Sequence, residues 1–192
     1  DEIMLPKAAA LVSKGSSAWE LGLDASGKAV FTTAGVGGGT LTGGTELAPR
    51  TWTHVAGVWD GTTKWIFVNG ELDGSASGLS GSIALNDLAV RLGGSPTAAA
   101  AGFAGRLDEV RIWSGARTKE LIAANAERTL TGHEPGLTAW FSLDHDNGLA
   151  VTNRKTPVNT TDQVTIDFEN PDLHHDDNQT KRLQNNATYS NS

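Results

Sequence analysis

The chain of 192 residues contains no cysteine, has only 6% aromatic residues and carries more acidic than basic side chains. The absence of cysteine excludes a disulfide scaffold and a cysteine-ligated zinc site. No apolar run approaches the roughly 20 residues that a membrane-spanning helix needs. The net charge of −7 argues against a nucleic-acid partner, because phosphate binding needs a basic surface. The acidic balance instead suits neutral sugars, cations or a basic protein.

Glycine is abundant, with 23 residues, and tryptophan supplies six of the aromatic residues. This composition favours short strands joined by tight turns. The length suffices for one domain with a hydrophobic core. The chain starts with Asp1 rather than an initiator Met, and no signal peptide is visible. We therefore expect a mature or excised piece of a longer protein.

Alternating apolar and polar residues predict short strands about every ten residues, the pattern of an antiparallel β-sandwich. Asn69-Gly70 predicts a type I′ hairpin, because both residues tolerate positive φ. Thr118 predicts the N-cap of a short helix over about 119–126, with Leu121 and Ile122 on its inner face. Residues 34–49 are rich in Gly and Thr and predict a loop or an irregular edge. The predicted strands cover residues 10–13, 19–23, 28–32, 52–59, 64–68, 88–92, 103–113 and 137–143.

The segment from Trp52 to Trp59 is apolar on both faces. Counting with a period of two places Trp52 and His54 on one face and Val55 and Trp59 on the other. We therefore expect other elements to cover this strand on both sides.

The composition changes after residue 155, where Asn, Asp, Thr and Gln dominate. We divide the chain into a sandwich over residues 1–155 and a polar C-terminal segment over residues 156–192. Within that segment, residues 163–168 are the candidate for one donated strand. The last twenty or so residues lack the apolar surface needed to order themselves, so we expect a flexible end.

Several strings, in this order along the chain, resemble a laminin-G-like domain of the concanavalin A-like lectin/glucanase superfamily over about residues 10–150. The resemblance implies an all-β fold, a concanavalin A-like jelly-roll sandwich of two antiparallel sheets with one short helix. The strings are Trp52-x-His54-Val-Ala56, Asp60-Gly61, Phe67-Val-Asn-Gly70, Phe103-x-Gly105-x-Leu-Asp108-Glu-Val-Arg-Ile-Trp113, Ala116-Arg-Thr118 and Gly136-Leu-Thr-Ala-Trp-Phe-Ser-Leu143.

The family usually begins with an extra strand, an acidic-glycine turn and an aromatic-rich strand, and this chain lacks them before Leu11. A sandwich without them would expose a sheet edge. We expect the segment from Gln163 to Phe168 to fill that gap by permuted pairing. The alternative is that a neighbouring chain fills it.

Asp108 is the most suggestive acidic residue, because period-two counting places it on the apolar face that carries Val110 and Ile112. A carboxylate in such surroundings must be hydrogen-bonded, paired or bound to a cation. The resemblance implies a structural Ca²⁺, and Asp108 and Asp60 are the candidate metal ligands. The alternative is that Asp108 accepts backbone hydrogen bonds at a strand crossing.

A second acidic string runs from Asp144 through Asp146 to Gly148 and has the alternating oxygen ligands of a calcium loop. It lacks the distal Glu of an EF-hand. The other interpretation is an ordinary acidic turn.

Catalysis is not expected. His54 has no Ser, Cys or Asp at a recognisable nucleophile spacing, and the resemblance implies a core histidine with hydrogen-bonded ring nitrogens. Retaining glycosidases need two carboxylates about 5 Å apart, and the strand string that supplies them on this fold is absent. Asp108 and Glu109 are adjacent, hence on opposite strand faces.

Tryptophan faces match the apolar face of a pyranose ring, and we take Trp19 and Trp65 as the candidate ligand-binding residues. The predicted function is non-catalytic carbohydrate binding, of a polysaccharide or surface glycan, within a larger extracellular or cell-surface protein. The alternative is a structural or adhesion module that contacts protein. A third, disfavoured hypothesis is a domain of a glycoside-active enzyme.

Overall fold

The computed structural model describes residues 8–97, 102–144, 150–155 and 163–165, where the chain is mostly β-strand with a single helix. In chain order the elements are β1 (Ala9–Ser13), β2 (Trp19–Leu23), β3 (Lys28–Thr33), β4 (Thr40–Glu46), β5 (Val55–Trp59), β6 (Lys64–Val68), β7 (Glu71–Ala76), β8 (Arg91–Leu92), β9 (Val110–Trp113), α1 (Lys119–Asn125), β10 (Leu137–Phe141), β11 (Ala150–Thr152) and β12 (Gln163–Thr165).

These strands form antiparallel sheets, as predicted. The largest has five strands in the order β4-β3-β2-β1-β8, and a second has three in the order β5-β6-β7. Two further pairs join β9 with β10 and β11 with β12. The architecture is consistent with a concanavalin A-like jelly-roll sandwich.

The main core lies between the five-stranded and three-stranded sheets. Phe31 of β3 and Ile66 of β6 are buried there, with Trp19, Leu21 and Val55 packed around them. Burial of each such side chain contributes about 1.5–3 kcal/mol.

A second cluster joins the five-stranded sheet to the β9–β10 pair. Leu92 of β8, Val110 of β9 and Phe141 of β10 are buried in it. The β9–β10 pair therefore packs against the five-stranded sheet as well.

Strand β5 is covered on both faces, as predicted for its residues 55–59. Val55 and Trp59 pack into the core between the sheets, while Val58 packs with Ile122 of α1 on the other side. Coverage does not extend to Trp52, which is 65% exposed. The strand begins only at Val55, so the prediction that residues 52–54 continue the strand was wrong.

The predicted turn at Asn69-Gly70 is confirmed, with φ of 49° and 80°. A Cβ on Gly70 would lie 2.8 Å from Cα of Ala123, so the hairpin approaches α1 too closely for any side chain. Thr118 caps α1 by accepting a hydrogen bond from the backbone N–H of Leu121.

The inner face of α1 was predicted only in part. Ile122 is buried, but Leu121 is 43% exposed. One residue is 100° of rotation on a helix, so two neighbours seldom point into the same narrow contact.

Two predicted segments have different bounds. The Gly- and Thr-rich stretch 34–49 contains the edge strand β4. The strand predicted over 103–113 is reduced to β9, because Glu109 adopts a left-handed φ of 51° that interrupts extended backbone.

Strand β12 lies in the C-terminal segment and pairs antiparallel with β11. Residues 166–168 of the predicted strand are outside the described residues. The expected role of this segment in covering the sheet edge stays a prediction, as does the division at residue 155. No helix in the described part of the chain has the length and hydrophobicity needed to cross a bilayer.

Candidate functional site

The five-stranded sheet aligns five polar side chains in one row on its outer face, which we call the polar row. Cross-strand register pairs Arg91 with Ser13, Ser13 with Glu20, Glu20 with Thr32, and Thr32 with Thr40. Directly opposed residues in antiparallel strands point to the same face. With strands about 4.8 Å apart, the row spans about 19 Å.

The row faces away from the core because its neighbours along each strand face inward. In β2, Trp19 and Leu21 pack into the core, so Glu20 between them points outward. In β3, Phe31 and Thr33 are buried on either side of Thr32.

Glu20 is positioned by a buried serine. Ser13 is 0% exposed, and its Oγ donates to Oε2 of Glu20 at 2.8 Å. The same Oγ accepts from the backbone N–H of Gly15 at 2.9 Å and lies 3.4 Å from Oγ of Ser95. These contacts fix Ser13 and, through it, the carboxylate.

The accessible part of the row is Glu20, Thr32 and Thr40. Glu20 and Thr32 are half-buried, and Thr40 is exposed. The hydroxyls of Thr32 and Thr40 lie 2.9 Å apart in a hydrogen bond. Arg91 at the opposite end of the row is half-buried. The row thus combines a carboxylate acceptor with hydroxyls that both donate and accept.

Glu20, Thr32 and Thr40 lie at one end of the sandwich, which we call the first end. Its turns are residues 14–18, 34–39 and 60–63. Nζ of buried Lys64 donates to the carbonyl of Gly39, which ties the β5–β6 turn to the β3–β4 turn.

The opposite or second end carries the turns at 24–27 and 69–70 and the loop at 47–54. The backbone N–H of Leu47 donates to the carbonyl of Gly27, and that of His54 donates to Oδ1 of Asn69. The loop is therefore tied to both turns.

The two tryptophans predicted to bind ligand lie on different faces of the sandwich. Trp19 packs into the core between the sheets. Trp65 packs with Val58 and Phe67, on the side of the three-stranded sheet that faces α1. Both are half-buried, and the structure does not bring them together.

The remaining tryptophans also have identified surroundings. Nε1 of buried Trp140 donates to Glu109, and the guanidinium of Arg117 lies 4.0 Å from the ring centroid of Trp113. Trp59 packs into the main core. Trp52 is the one that stands out by its exposure.

Asp60, a predicted metal ligand, shapes the β5–β6 turn. Its Oδ1 accepts from the backbone N–H groups of Thr62 and Thr63 at 2.8 and 2.7 Å, and from the Thr62 hydroxyl at 3.0 Å. These hydrogen bonds, first that from the Thr62 backbone, lower the pKa of Asp60. These hydrogen bonds give Asp60 a structural role in the turn. Its role as a metal ligand stays a prediction.

Asp108 is exposed, not part of the apolar face on which period-two counting placed it. The left-handed conformation of Glu109 breaks the alternation before Val110. Although the residue is exposed overall, partial desolvation of its carboxyl group raises the pKa of Asp108, and the negative charge of Asp144 raises it further. Its Oδ1 accepts from the backbone N–H of Glu109 at 2.9 Å.

Asp144 of the predicted acidic loop is therefore close enough to Asp108 for their charges to interact. Residues 145–149 of that loop lie outside the described residues. Within the described ranges, no three His, Asp or Glu side chains are grouped as a metal site would require. Asp108 and Asp144 offer two carboxylates, whose mutual repulsion a cation would relieve.

His54 belongs to a structural cluster. Burial lowers its pKa, and the positive charge of Arg111 lowers it further. Its buried Nδ1 has no hydrogen-bond partner, so the expectation that both ring nitrogens are hydrogen-bonded was wrong.

The partners of Arg111 complete this cluster. Its Nη2 forms a 2.7 Å ion pair with Glu109, and Nη1 donates to the carbonyl of Asn125 just at the end of α1. Nη2 also contacts the carbonyl of Arg128. The cluster joins β9, β10 and α1.

Two features were missed by sequence reasoning. The polar row needs the register of five strands, and the sequence offers only the alternation within residues 19–23 and 28–32, in which Glu20 and Thr32 are polar positions. The exposure of Trp52 was missed because the alternation of the strand 55–59 was extended back to residue 52, although the immediate neighbours Thr51 and Thr53 are polar.

Comparison with protein families finds a match over residues 5–123 to a laminin G family described as the concanavalin A-like lectin/glucanases superfamily. The match covers more than half of the chain. A search of curated proteins finds no match.

Among solved structures, the chain is similar to a Bacteroides ovatus protein to which carbohydrate binding has been provisionally assigned. The TM-score is 0.66 at 20% identity, over 82% of this chain and 47% of that protein. The chain thus spans about half the length of that protein, and the likeness shows a shared fold.

A second similar structure is the S-layer domain-containing protein of Clostridium thermocellum. Its TM-score is 0.34 at 23% identity, over 57% of this chain and 56% of that one. A score this low does not establish a shared fold.

Proposed function

The chain belongs to the concanavalin A-like lectin/glucanase superfamily, and on this premise we propose that it is a non-catalytic module that binds neutral carbohydrate. The ligand is a polysaccharide or surface glycan, and the module is part of a larger extracellular protein. The provisional assignment of the Bacteroides ovatus protein supports this class of ligand. The net charge of −7 favours neutral over acidic sugars.

The observation that carries the proposal is the polar row. Sugar hydroxyls donate and accept hydrogen bonds, and a carboxylate beside hydroxyls offers both kinds of partner. Ser13 holds Glu20 at 2.8 Å, and Thr32 holds Thr40 at 2.9 Å, so these groups are positioned before a ligand arrives. Preorganised polar groups lower the entropy lost on binding.

The row also supports binding without turnover. Glycoside hydrolysis needs two carboxyl groups on either side of the bond to be cleaved. Glu20 is the single carboxylate of the row. The Asp108–Asp144 pair lies outside the row, with Asp108 preceding β9.

The first experiment is a glycan array that includes xylan, mannan and β-glucan, with Ca²⁺ and again with chelator. We expect binding to neutral glycans. Purified protein that releases reducing ends from these polysaccharides would contradict the non-catalytic assignment. An array without signal would favour the protein-contacting module over carbohydrate binding.

The test variant is E20Q, which changes the polar row. Its control is E127Q, which makes the same change on an exposed turn after α1. Loss of a charged hydrogen bond costs about 1.5–3 kcal/mol, so E20Q should weaken binding about tenfold or more. E127Q should bind like the wild type. Equal binding by both variants would exclude the row as the site.

We also propose that Asp108 and Asp144 hold a structural Ca²⁺. Carboxylate oxygens are the ligands that Ca²⁺ prefers, and a bound ion would neutralise the repulsion between the two acids. Addition of Ca²⁺ should raise the thermal midpoint of the wild type and not that of D108N. A midpoint unchanged by Ca²⁺ or by chelation would remove this proposal.

A further inference from the structure

Trp52 exposes most of its indole to solvent, at 65% of its accessible surface. Tryptophan is rarely left in water, because burial of its large apolar surface is a dominant stabilising term. Four of the other five tryptophans pack against core clusters, and Trp140 is itself buried in one. Among the described residues, no packing contact accounts for the exposure of Trp52.

The loop that carries Trp52 is held in a defined conformation. The hydroxyl of Thr53 donates to the carbonyl of Thr51, and Arg50 adopts a left-handed φ of 60°. His54 is fixed on the other side, since its carbonyl accepts from the backbone N–H of Asn69 at 2.8 Å. A flat indole on such a loop is a ready surface for stacking.

This surface is separate from the polar row. Trp52 lies in the loop at the second end, whereas Glu20 and Thr40 lie at the first end. The two ends are separated by the length of a strand, about 17–20 Å. A disaccharide is too short to contact both.

We propose that Trp52 forms a second carbohydrate-binding site, where its indole stacks on the apolar face of a pyranose ring. This inference rests on the proposed function and extends it, because two sites make the module bivalent. A bivalent module binds a polysaccharide with avidity and links separate chains.

The test separates a flat ring from mere hydrophobicity. W52L keeps an apolar side chain without a stacking face, while W52F keeps the face. Both are made in the wild type and in E20Q, and gel retardation is measured in native gels that contain xylan, mannan or β-glucan. Thermal melting checks folding, and an exposed residue should leave the midpoint unchanged.

We expect the E20Q variant to keep part of the wild-type retardation. Adding W52L to E20Q should remove the remaining retardation, whereas adding W52F to E20Q should leave it nearly intact. The loss at this site should be about tenfold for W52L. Wild-type protein should also make the retarding polysaccharide turbid, and W52L should abolish the turbidity.

Three outcomes would overturn the proposal. If W52L and W52F behave alike, stacking is wrong while the proposed function stands. If W52L alone abolishes all retardation, Trp52 belongs to a single site. If wild-type protein is retarded by none of the polysaccharides, this inference and the proposed function fail together.

Discussion

Glu109 and Glu20 both accept hydrogen bonds from side chains of neighbouring strands or loops, but their settings differ. Glu109 accepts from the guanidinium of Arg111 and from the indole of Trp140. Glu20 accepts from the hydroxyl of Ser13 on the outer face of the five-stranded sheet. Both glutamates are half-buried, so the comparison separates a carboxylate held by a cation and an indole from one held by a neutral hydroxyl.

The two carboxylates differ in the charge of the groups that hydrogen-bond to them. The side chains of Arg111 and Glu109 are 8% and 22% exposed, so each desolvated charge depends on the other. Glu20 is held by a neutral hydroxyl, and its charge stays available to a ligand. The same residue type therefore has a structural role in one region and, in our proposal, a binding role in the other.

The largest expected effect is on the buried pair. R111M removes the cation that connects β9 to the end of α1 and leaves Glu109 without its cationic partner, while the indole of Trp140 still donates to it. Breaking a buried ion pair costs about 3–5 kcal/mol, and the partial exposure of Glu109 places the loss near about 3 kcal/mol. Chemical denaturation with urea measures it.

The control is K119M, which breaks the exposed ion pair between Lys119 and Glu71. Surface pairs contribute about 0–1 kcal/mol, so this variant should stay close to the wild type. Equal losses in R111M and K119M would contradict the distinction between buried and exposed pairs.

A smaller effect is expected from neutralising each glutamate in turn. E109Q removes the charge facing Arg111 and should lower the free energy of unfolding by about 1–2 kcal/mol. E20Q should lower it hardly at all, because the amide oxygen still accepts from Ser13, while carbohydrate binding falls. The assignment of a structural role to Glu109 and a binding role to Glu20 is contradicted if E20Q is the less stable variant. It is also contradicted if E109Q loses carbohydrate binding without losing stability.

The smallest effect concerns pH. Burial lowers the pKa of His54, so at acidic pH the unfolded chain binds a proton that the folded chain does not. The contribution of His54 is therefore fully favourable above the unfolded pKa of about 6.5, and stability is lost as pH falls below it. H54Q should reduce this slope in thermal melts between pH 7 and pH 5.

The matched control for H54Q is H133Q, at an exposed histidine. It should keep the wild-type slope. If H54Q leaves the pH dependence of the thermal midpoint unchanged, groups other than His54 cause the loss of stability at acidic pH.

Local pattern was enough to predict most of the strands and turns. The bounds of β6 and the hairpin at Asn69-Gly70 follow from residue types alone. The errors arise where the backbone leaves regular geometry: Glu109 turns left-handed, and β5 starts three residues after Trp52. Period-two counting has no means of detecting either change.

The candidate site was harder to predict. Trp19 was proposed from its residue type, but exposure depends on which element covers it. The polar row depends on strand order, since β8 lies beside β1 although about eighty residues separate them in the chain. Such long-range register is set by the packing of the whole sheet, so no single segment of the sequence predicts it.

The most direct test of the polar row is an amide chemical-shift titration of labelled protein with xylobiose, mannobiose and cellobiose. We predict that one or more of these disaccharides shifts the signals of Glu20, Thr32 and Thr40, and leaves those of Glu109 and Arg111 in place. Saturating disaccharide that moves no signal in β2, β3 or β4 would contradict binding at this face.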